Sequence, residues 1–248
     1  MQSGPCGAAL SDAAATPALV TLHLWGVPAS RVPHAVARMA RDRRPLRRTA
    51  GLRFAKLLGT GDGRTFTVRD ADPRHWGILA TWASDAAAAE FEDGPVARGW
   101  DRLAEERLRV RLRPLSSRGT WAGHRPFGDP VPTPSEQRGS PVAAITRARI
   151  APRRLVTFWR AVPPVSADLR MTPGLRLAVG IGEAPVGLQG TFSLWDSPAA
   201  LSEFAYRQAP HVEAVRRTAE LGWYSEELFA RFAVLGVEGT LAGRSYDV

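Results

Sequence analysis

The chain of 248 residues carries 33 basic and 24 acidic side chains for a formal charge of +9, with 44% hydrophobic residues and one cysteine. That length suits one large domain or two of about 120 residues, and the composition is that of a globular protein. No apolar run approaches the roughly 18–20 residues of a membrane-spanning helix, and a single cysteine, Cys6, excludes an intrachain disulfide.

The charge invites a nucleic-acid reading, but only Lys56 of the basic residues is a lysine and the arginines are dispersed apart from RDRRPLRR at 41–48. Neither zinc-finger spacing nor an RNA-binding aromatic signature accompanies them, so an acidic redox partner or an anionic lipid surface suits the charge better.

Residues 1–17 have no basic stretch followed by an apolar core, and read as a disordered leader rather than a secretion signal. With the only cysteine there, a reducing cytoplasm is the expected compartment. The apolar, β-branched run LVTLHLWGV (19–27) predicts a strand. Val32, Ala35, Val36 and Met39 recur at helical spacing and predict a helix, with Pro33 tolerated in its first turn. LRFAKLLG (52–59) and HWGILATW (75–82) predict two further strands. The glycine-rich GTGDGRTF (59–66) between them lacks the ending of a phosphate loop and reads as a hairpin turn. Ser84 is placed to cap a second helical region, broken at Pro95 and reaching about residue 106, before a last strand RLRVRLRPL.

The same series then recurs. VAAITRARI (142–150) answers LVTLHLWGV, TPGLRL (172–177) answers TAGLRF (49–54), SLWDSPAALSEFA (193–205) answers ATWASDAAAAEFE (80–92), and EGTLAG (238–243) answers RGTWAG (118–123). Strands LRLAVGIG and LQGTFSLW, a helical region opening at Ser197 and broken at Pro210, and the strand ELFARFAVL complete the second series. The order β-α-β-β-α-β in each copy is the ferredoxin-like unit. The predicted class is therefore α+β, with tandem ferredoxin-like repeats at 18–113 and 141–248 joined by a Pro/Gly/Ser-rich linker at 114–140. Each unit leaves one sheet face bare, and two such faces packed together give a dimeric α/β-barrel arrangement within one chain. Two independent domains on a string is the alternative, in which each sheet needs another cover.

The two copies differ where chemistry can enter. After Pro95, residues Val96, Trp100 and Leu103 form a buried stripe; after Pro210 the matching residues are His211, Val215 and Thr218. An imidazole replaces a core-facing valine while bulk is lost along the same stripe, and interiors seldom leave such space empty. A flat apolar cofactor held by a histidine, heme b, fits this exchange. The competing reading makes His211 a half-exposed residue at a helix start, with Tyr206, Trp223 or Tyr224 taking up the volume. Arg207, inserted just before Pro210, could pair with a haem propionate or stand in a solvated loop. The candidate cofactor-binding set is His211, Arg207, Val215, Thr218 and Trp195, with His211 as metal ligand. His124 reads as a solvent-facing linker residue, and His23, His34 and His75 show no metal-ligand spacing with a carboxylate. Strand alternation puts Lys56 on one face with Leu52, Phe54 and Leu58, either as a titratable donor inside the barrel or as an edge lysine reaching water, with Glu183 as a candidate partner.

PLRRTAGLRFAKLLGTGDGRTFT (45–67), ILATW (78–82), VAAITRARIAPRRLVTFWRAVP (142–163), VGIGEAP (179–185), TFSLW (191–195), PHVEAVR (210–216) and GWYSEELFARFAVLGVEGT (222–240) together resemble the spheroidene monooxygenase family of acyclic carotenoid ketolases. The resemblance spans residues 18 to 243; His75-Trp76 departs from it, and the leader and linker match nothing. It implies a haem-containing oxygenase that uses O2 and electrons from a ferredoxin-type donor to oxidise a long polyene. It puts Pro210-His211 on the family's Pro-His pair and makes Lys56, Arg53 and Arg176 candidate polar groups near iron or propionates, Lys56 and Arg176 being carried forward as catalytic candidates. The partners implied are a small apolar substrate and that donor, with peripheral membrane contact and a homo-oligomer left open. A tailoring oxidation of another secondary metabolite, and a haem-binding barrel with dehydratase- or peroxidase-like activity or with no catalysis, are the alternatives, since fold and ligand do not fix a reaction.

Overall fold

The computed structural model describes residues 15–61, 70–138, 141–150, 172–183, 188–207 and 224–247. Eight long strands, each antiparallel to its neighbours, close into a barrel. β1 (Leu19–Gly26), β2 (Leu52–Gly61), β3 (Ala71–Trp82) and β4 (Glu106–Gly119) stand in the order β4-β1-β3-β2. β5 (Val142–Ile150), β6 (Leu175–Gly182), β7 (Leu188–Trp195) and β8 (Tyr224–Leu241) stand in the corresponding order β8-β5-β7-β6. Two seams join the quartets: β2 with β6 from Gly59↔Gly182 to Gly61↔Gly180, and β4 with β8 from Leu108↔Gly239 to Gly119↔Leu228. A two-residue strand, β9 (Arg244–Ser245), folds back on the end of β8.

The period-2 alternation of the strands separates two cores. Val20, Leu22 and Leu24 of β1 join Leu79, Val110, Ile145, Val179, Phe192 and Phe232 in the barrel interior. The alternate residues Leu19 and Trp25 face outward beneath helices. This is why β1 is buried along its whole length and reads as an almost continuous apolar run. The outer layer is built by α1 (Val32–Arg41), α2 (Arg43–Arg47), α3 (Asp85–Glu92) and α4 (Pro95–Asp101) on the first quartet and by α6 (Pro198–Arg207) on the second; a short α5 (Pro134–Arg138) precedes β5. Ser84 Oγ accepts a hydrogen bond from the Ala87 amide at 3.2 Å, and Ser197 Oγ one from Ala200 at 3.2 Å, so both expected caps form.

Three features differ from the sequence expectation. α4 stops at Asp101 rather than near 106, because the Glu105 amide turns back to the Gly26 carbonyl and β4 starts at once. β8 is twice the expected length, because its second half pairs with β4 across the seam. The stretch expected as linker contributes the end of β4, and beyond it Trp121 and Phe127 are buried in the barrel interior, Phe127 edge-on to Phe232 at 4.8 Å. Burial of a side chain like Phe127 contributes about 1.5–3 kcal/mol, a benefit invisible in a composition rich in Pro, Gly and Ser. The helix expected after β5 falls on residues outside those described. Among the described residues no helix is long and apolar enough to cross a membrane.

Candidate functional site

The strand registers allow the outer faces of the two quartets to be compared row by row. At the Trp82 end they agree: Leu19 pairs Trp82 and Leu52 pairs Trp82 in one, as Val142 pairs Trp195 and Leu175 pairs Trp195 in the other. Trp82 and Trp195 are each fully buried, and their indole nitrogens donate to Thr21 Oγ1 and Ser193 Oγ, both at 2.9 Å. Further along, the faces part. The row His23–Ile78–Leu57 corresponds to Thr146–Thr191–Gly180, and Trp25–Trp76–Gly59 to Ala148–Gln189–Gly182.

In the first quartet this far end is filled by aromatic rings. Trp100 of α4 stacks on Trp25 at 5.6 Å and leans on Trp76 at 6.4 Å, while His23 stacks on Trp25 at 5.4 Å with Phe91 edge-on. His23 is 2% exposed, its nitrogens make no hydrogen bond, and burial pushes its pKa down, so it is a neutral packing residue. In the second quartet Ala148 and Gln189 occupy the register positions of Trp25 and Trp76, and Thr146 is exposed where His23 is buried. On β5 and β7 that face presents Ala144, Thr146, Ala148, Thr191 and Ser193, small apolar and hydroxyl groups, and on β8 the same rows carry Arg231, Phe229 and Glu227. Its β5–β7 part can receive a broad, largely apolar body.

A separate polar network fills the barrel interior near its other seam. Lys56 Nζ lies 2.6 Å from Glu183 Oε2, whose other oxygen accepts from the Trp121 indole at 2.6 Å and from Arg147 at 2.9 Å. Arg147 also pairs with Glu226, which accepts from the Gly123 amide at 2.7 Å and from Thr120 Oγ1 at 3.0 Å. Arg147 is 2% exposed and stacks over the Trp121 ring at 5.5 Å. Burial works against ionised Glu183, but the donors from Lys56 and Trp121 hold its pKa below the usual carboxylate range. Burial likewise opposes Glu226, and the amides and Arg147 around it win, lowering it to about 2.

The expected site residues do not converge within the described part. Lys56 is inside the barrel, with the sheet between it and the outer face of β5–β8. Arg176 lies at the surface on β6, donating to Asp196 at 2.5 Å. Trp195 closes the packed end of the outer face against Val142, Leu201 and Phe204. Arg207 is the last residue of α6. His211, Val215 and Thr218 lie outside the described residues. Among the described residues no cluster of three or more His, Cys, Asp or Glu side chains could hold a metal. Sequence reasoning missed Arg147, an arginine on the inward-facing register of β5, although VAAITRARI places it two residues after Ile145. It also missed His75, whose nitrogens meet Asp72 at 2.6 Å and Glu106 at 2.7 Å.

A closed barrel of two ferredoxin-like quartets in one chain, with Trp25 and Trp76 on one outer face and Ala148 and Gln189 at the matching register positions of the other, defines a dimeric-α/β-barrel protein. No protein-family model matches the chain. It is 40% identical to a spheroidene monooxygenase of Rhodobacter capsulatus over 217 residues, 87% of this chain and 89% of that protein. It is 38% identical to one of Rubrivivax gelatinosus over 255 aligned positions, covering 99% and 95%. The chain belongs to the spheroidene monooxygenase family. Among solved structures, an aldoxime dehydratase crystallised with butyraldoxime shares the fold, with a TM-score of 0.59 at 11% identity over 87% of this chain and 79% of that one.

Proposed function

We propose that the protein is a haem-dependent monooxygenase that inserts one atom of O2 into a long apolar substrate of carotenoid type. The heme b would lie against the outer face of β5–β7, held by His211. The observation that carries this reading is the register exchange of Trp25 and Trp76 for Ala148 and Gln189, matched in sequence by Trp100 for Val215. Trp25 and Trp76 have no aromatic equal at the matching rows of β5 and β7, Trp100 is answered in sequence by Val215, and the residue equivalent to Val96 is the histidine. Loss of flat aromatic volume on both walls, coupled to gain of an iron-binding nitrogen, fits a planar macrocycle.

When bound, haem supplies the activation of O2, with a ferredoxin-type donor as the source of electrons. The chain's own contribution is positional. Ala144, Ala148 and Gly180 leave room, Trp195 closes one end, and the hydroxyls of Thr146, Thr191 and Ser193 are the groups on β5 and β7 able to orient an oxygen atom. The small side chains of β5 and β7 suit this part of the face to a hydrocarbon, with Glu227 of β8 at its border in the row of Ala148. Protein reconstituted with haem is expected to show a Soret band that His211→Ala abolishes or weakens, and substrate-dependent O2 uptake with a reductant. An unchanged spectrum in that variant overturns the ligand, and turnover without O2 consumption overturns the reaction.

A further inference from the structure

We propose that α1 and α2 form a docking surface for an anionic lipid bilayer, from which the enzyme draws its apolar substrate; the second clause rests on the function proposed above. Between Pro28 and Lys56 the one acidic residue is Asp42, which is buried and engaged by Arg38 at 2.7 Å. Around it Arg31, Arg41, Arg43, Arg44, Arg47 and Arg48 are all exposed. Arg41 reaches no closer than 3.9 Å to Asp42, and the other five have no acidic partner among the described residues. Many arginines elsewhere on the described surface are matched, as in Arg98–Asp93, Arg107–Asp101, Arg113–Glu136 and Arg125–Asp129, whereas Arg53, Arg102 and Arg244 stand singly and not in a cluster. The positive field of the helix pair is therefore not cancelled locally.

Apolar surface is interleaved with these cations. Pro33, Val36, Ala37 and Ala40 recur at i, i+3, i+4 and i+7 on the exposed side of α1, and Val36 is 52% exposed. Beside α2 a recess of about 260 Å³ has Phe91 and Val96 in its lining, with Arg48 and Glu90 also bordering it. A protein partner would place carboxylates at fixed points opposite fixed guanidinium groups. A row of unpaired arginines around small apolar side chains matches instead an unpatterned layer of phosphates over hydrocarbon, with each arginine stem lying along the apolar surface and its head on a phosphate.

The test is co-sedimentation of the full chain with vesicles of phosphatidylcholine alone or mixed with phosphatidylglycerol, without haem or substrate. Binding is expected only to the mixed vesicles, weakening with added salt. Replacing Arg43, Arg44, Arg47 and Arg48 together by Gln should lower affinity roughly fivefold per arginine, on the order of several hundredfold in all. The same charge removed through Arg98→Gln, Arg107→Gln, Arg113→Gln and Arg125→Gln should change affinity by only a few fold. Val36→Asp, a single exposed change, should also weaken binding and serves if the fourfold variant misfolds. Equal losses in both fourfold variants, or no binding by the native chain, overturn the proposal. So does a helix-pair variant that binds vesicles normally but loses turnover driven by an acidic electron-donor protein, which would assign the surface to that protein. Failure of the haem assignment leaves this assay unaffected, and the reverse holds.

Discussion

Lys56 on β2 and Glu183 just past β6 meet at 2.6 Å inside the barrel, so a cation from one quartet is neutralised by a carboxylate from the other. The two partners are not equivalent. Glu183 keeps Arg147 and Trp121 when Lys56 is gone, whereas removal of Glu183 leaves Lys56 without its anion and Arg147 with Glu226 alone. Lys56→Met is expected to cost about 1 kcal/mol and Glu183→Ala about 3 kcal/mol. Urea unfolding of the two variants and their double mutant checks the order; equal costs would contradict the shared-anion geometry.

Enlarging the small residues of the second outer face tests the cofactor assignment from the sheet side. Ala148→Trp restores the ring found at Trp25, and Thr146→Phe adds bulk in the next row. Thr146 is exposed, so its replacement is expected to fold without cost; Ala148 is 8% exposed, so its replacement is checked by urea unfolding before haem uptake is read. Haem uptake in a Soret titration should fall at least about tenfold, as steric exclusion of about 1.4 kcal/mol or more requires. Trp25→Ala in the packed half is expected instead to cost about 3–5 kcal/mol of stability and to leave haem stoichiometry unchanged.

His75 links stability to pH. Its two ring nitrogens each meet a carboxylate, so the arrangement is complete only when both carry a proton, and the hydrogen bond to Asp72 raises its pKa above the ordinary 6.5. A raised folded pKa stabilises the folded chain fully below pH 6.5, and that contribution disappears as pH rises through the higher folded value. Unfolding midpoints should therefore fall on the alkaline side of neutrality in the native chain. His75→Gln should be less stable in mild acid and lack that slope; an identical pH profile would count against a charged His75.

Glu226 acts at the other end of the scale. Its pKa is lowered to about 2 from 4.5, so its contribution is intact above pH 4.5 and is lost as pH falls toward 2. Protonation would release Gly123 and Arg147 together. Glu226→Gln is expected to cost roughly 2 kcal/mol at neutral pH and to remove most of the acid-dependent part, as read by tryptophan fluorescence. A variant that still loses stability steeply in this range would place the acid-sensitive group elsewhere.

The strands and caps were legible because they are local. The apolar, β-branched runs in LVTLHLWGV and VAAITRARI, serines at 84 and 197 and the proline at 95 each carry their own structural signal. The pairing of Lys56 with Glu183 was legible too, because Glu183 stands just past the strand that answers the one carrying Lys56. What was not legible depends on partners far away in sequence. Nothing in RGTWAGHRPF says that Trp121 will roof Arg147, or that Phe127 will meet Phe232. The length of β8 follows from the seam with β4 and not from its own composition. The small residues of the second outer face stood out only when strand register showed which residues are equivalent, because alanine, threonine and glycine in a strand are unremarkable singly.

The seams β2–β6 and β4–β8 have a consequence for how such a barrel can change. Were the quartets separate identical chains, every substitution would appear twice, and trading a tryptophan for an alanine to open one chamber would open both and forfeit the packing of each. With both quartets in a single chain, Trp25 and Ala148 coexist in one molecule. One half can remain a rigid counterweight while the other accumulates the vacancies, hydroxyls and ligands that chemistry demands.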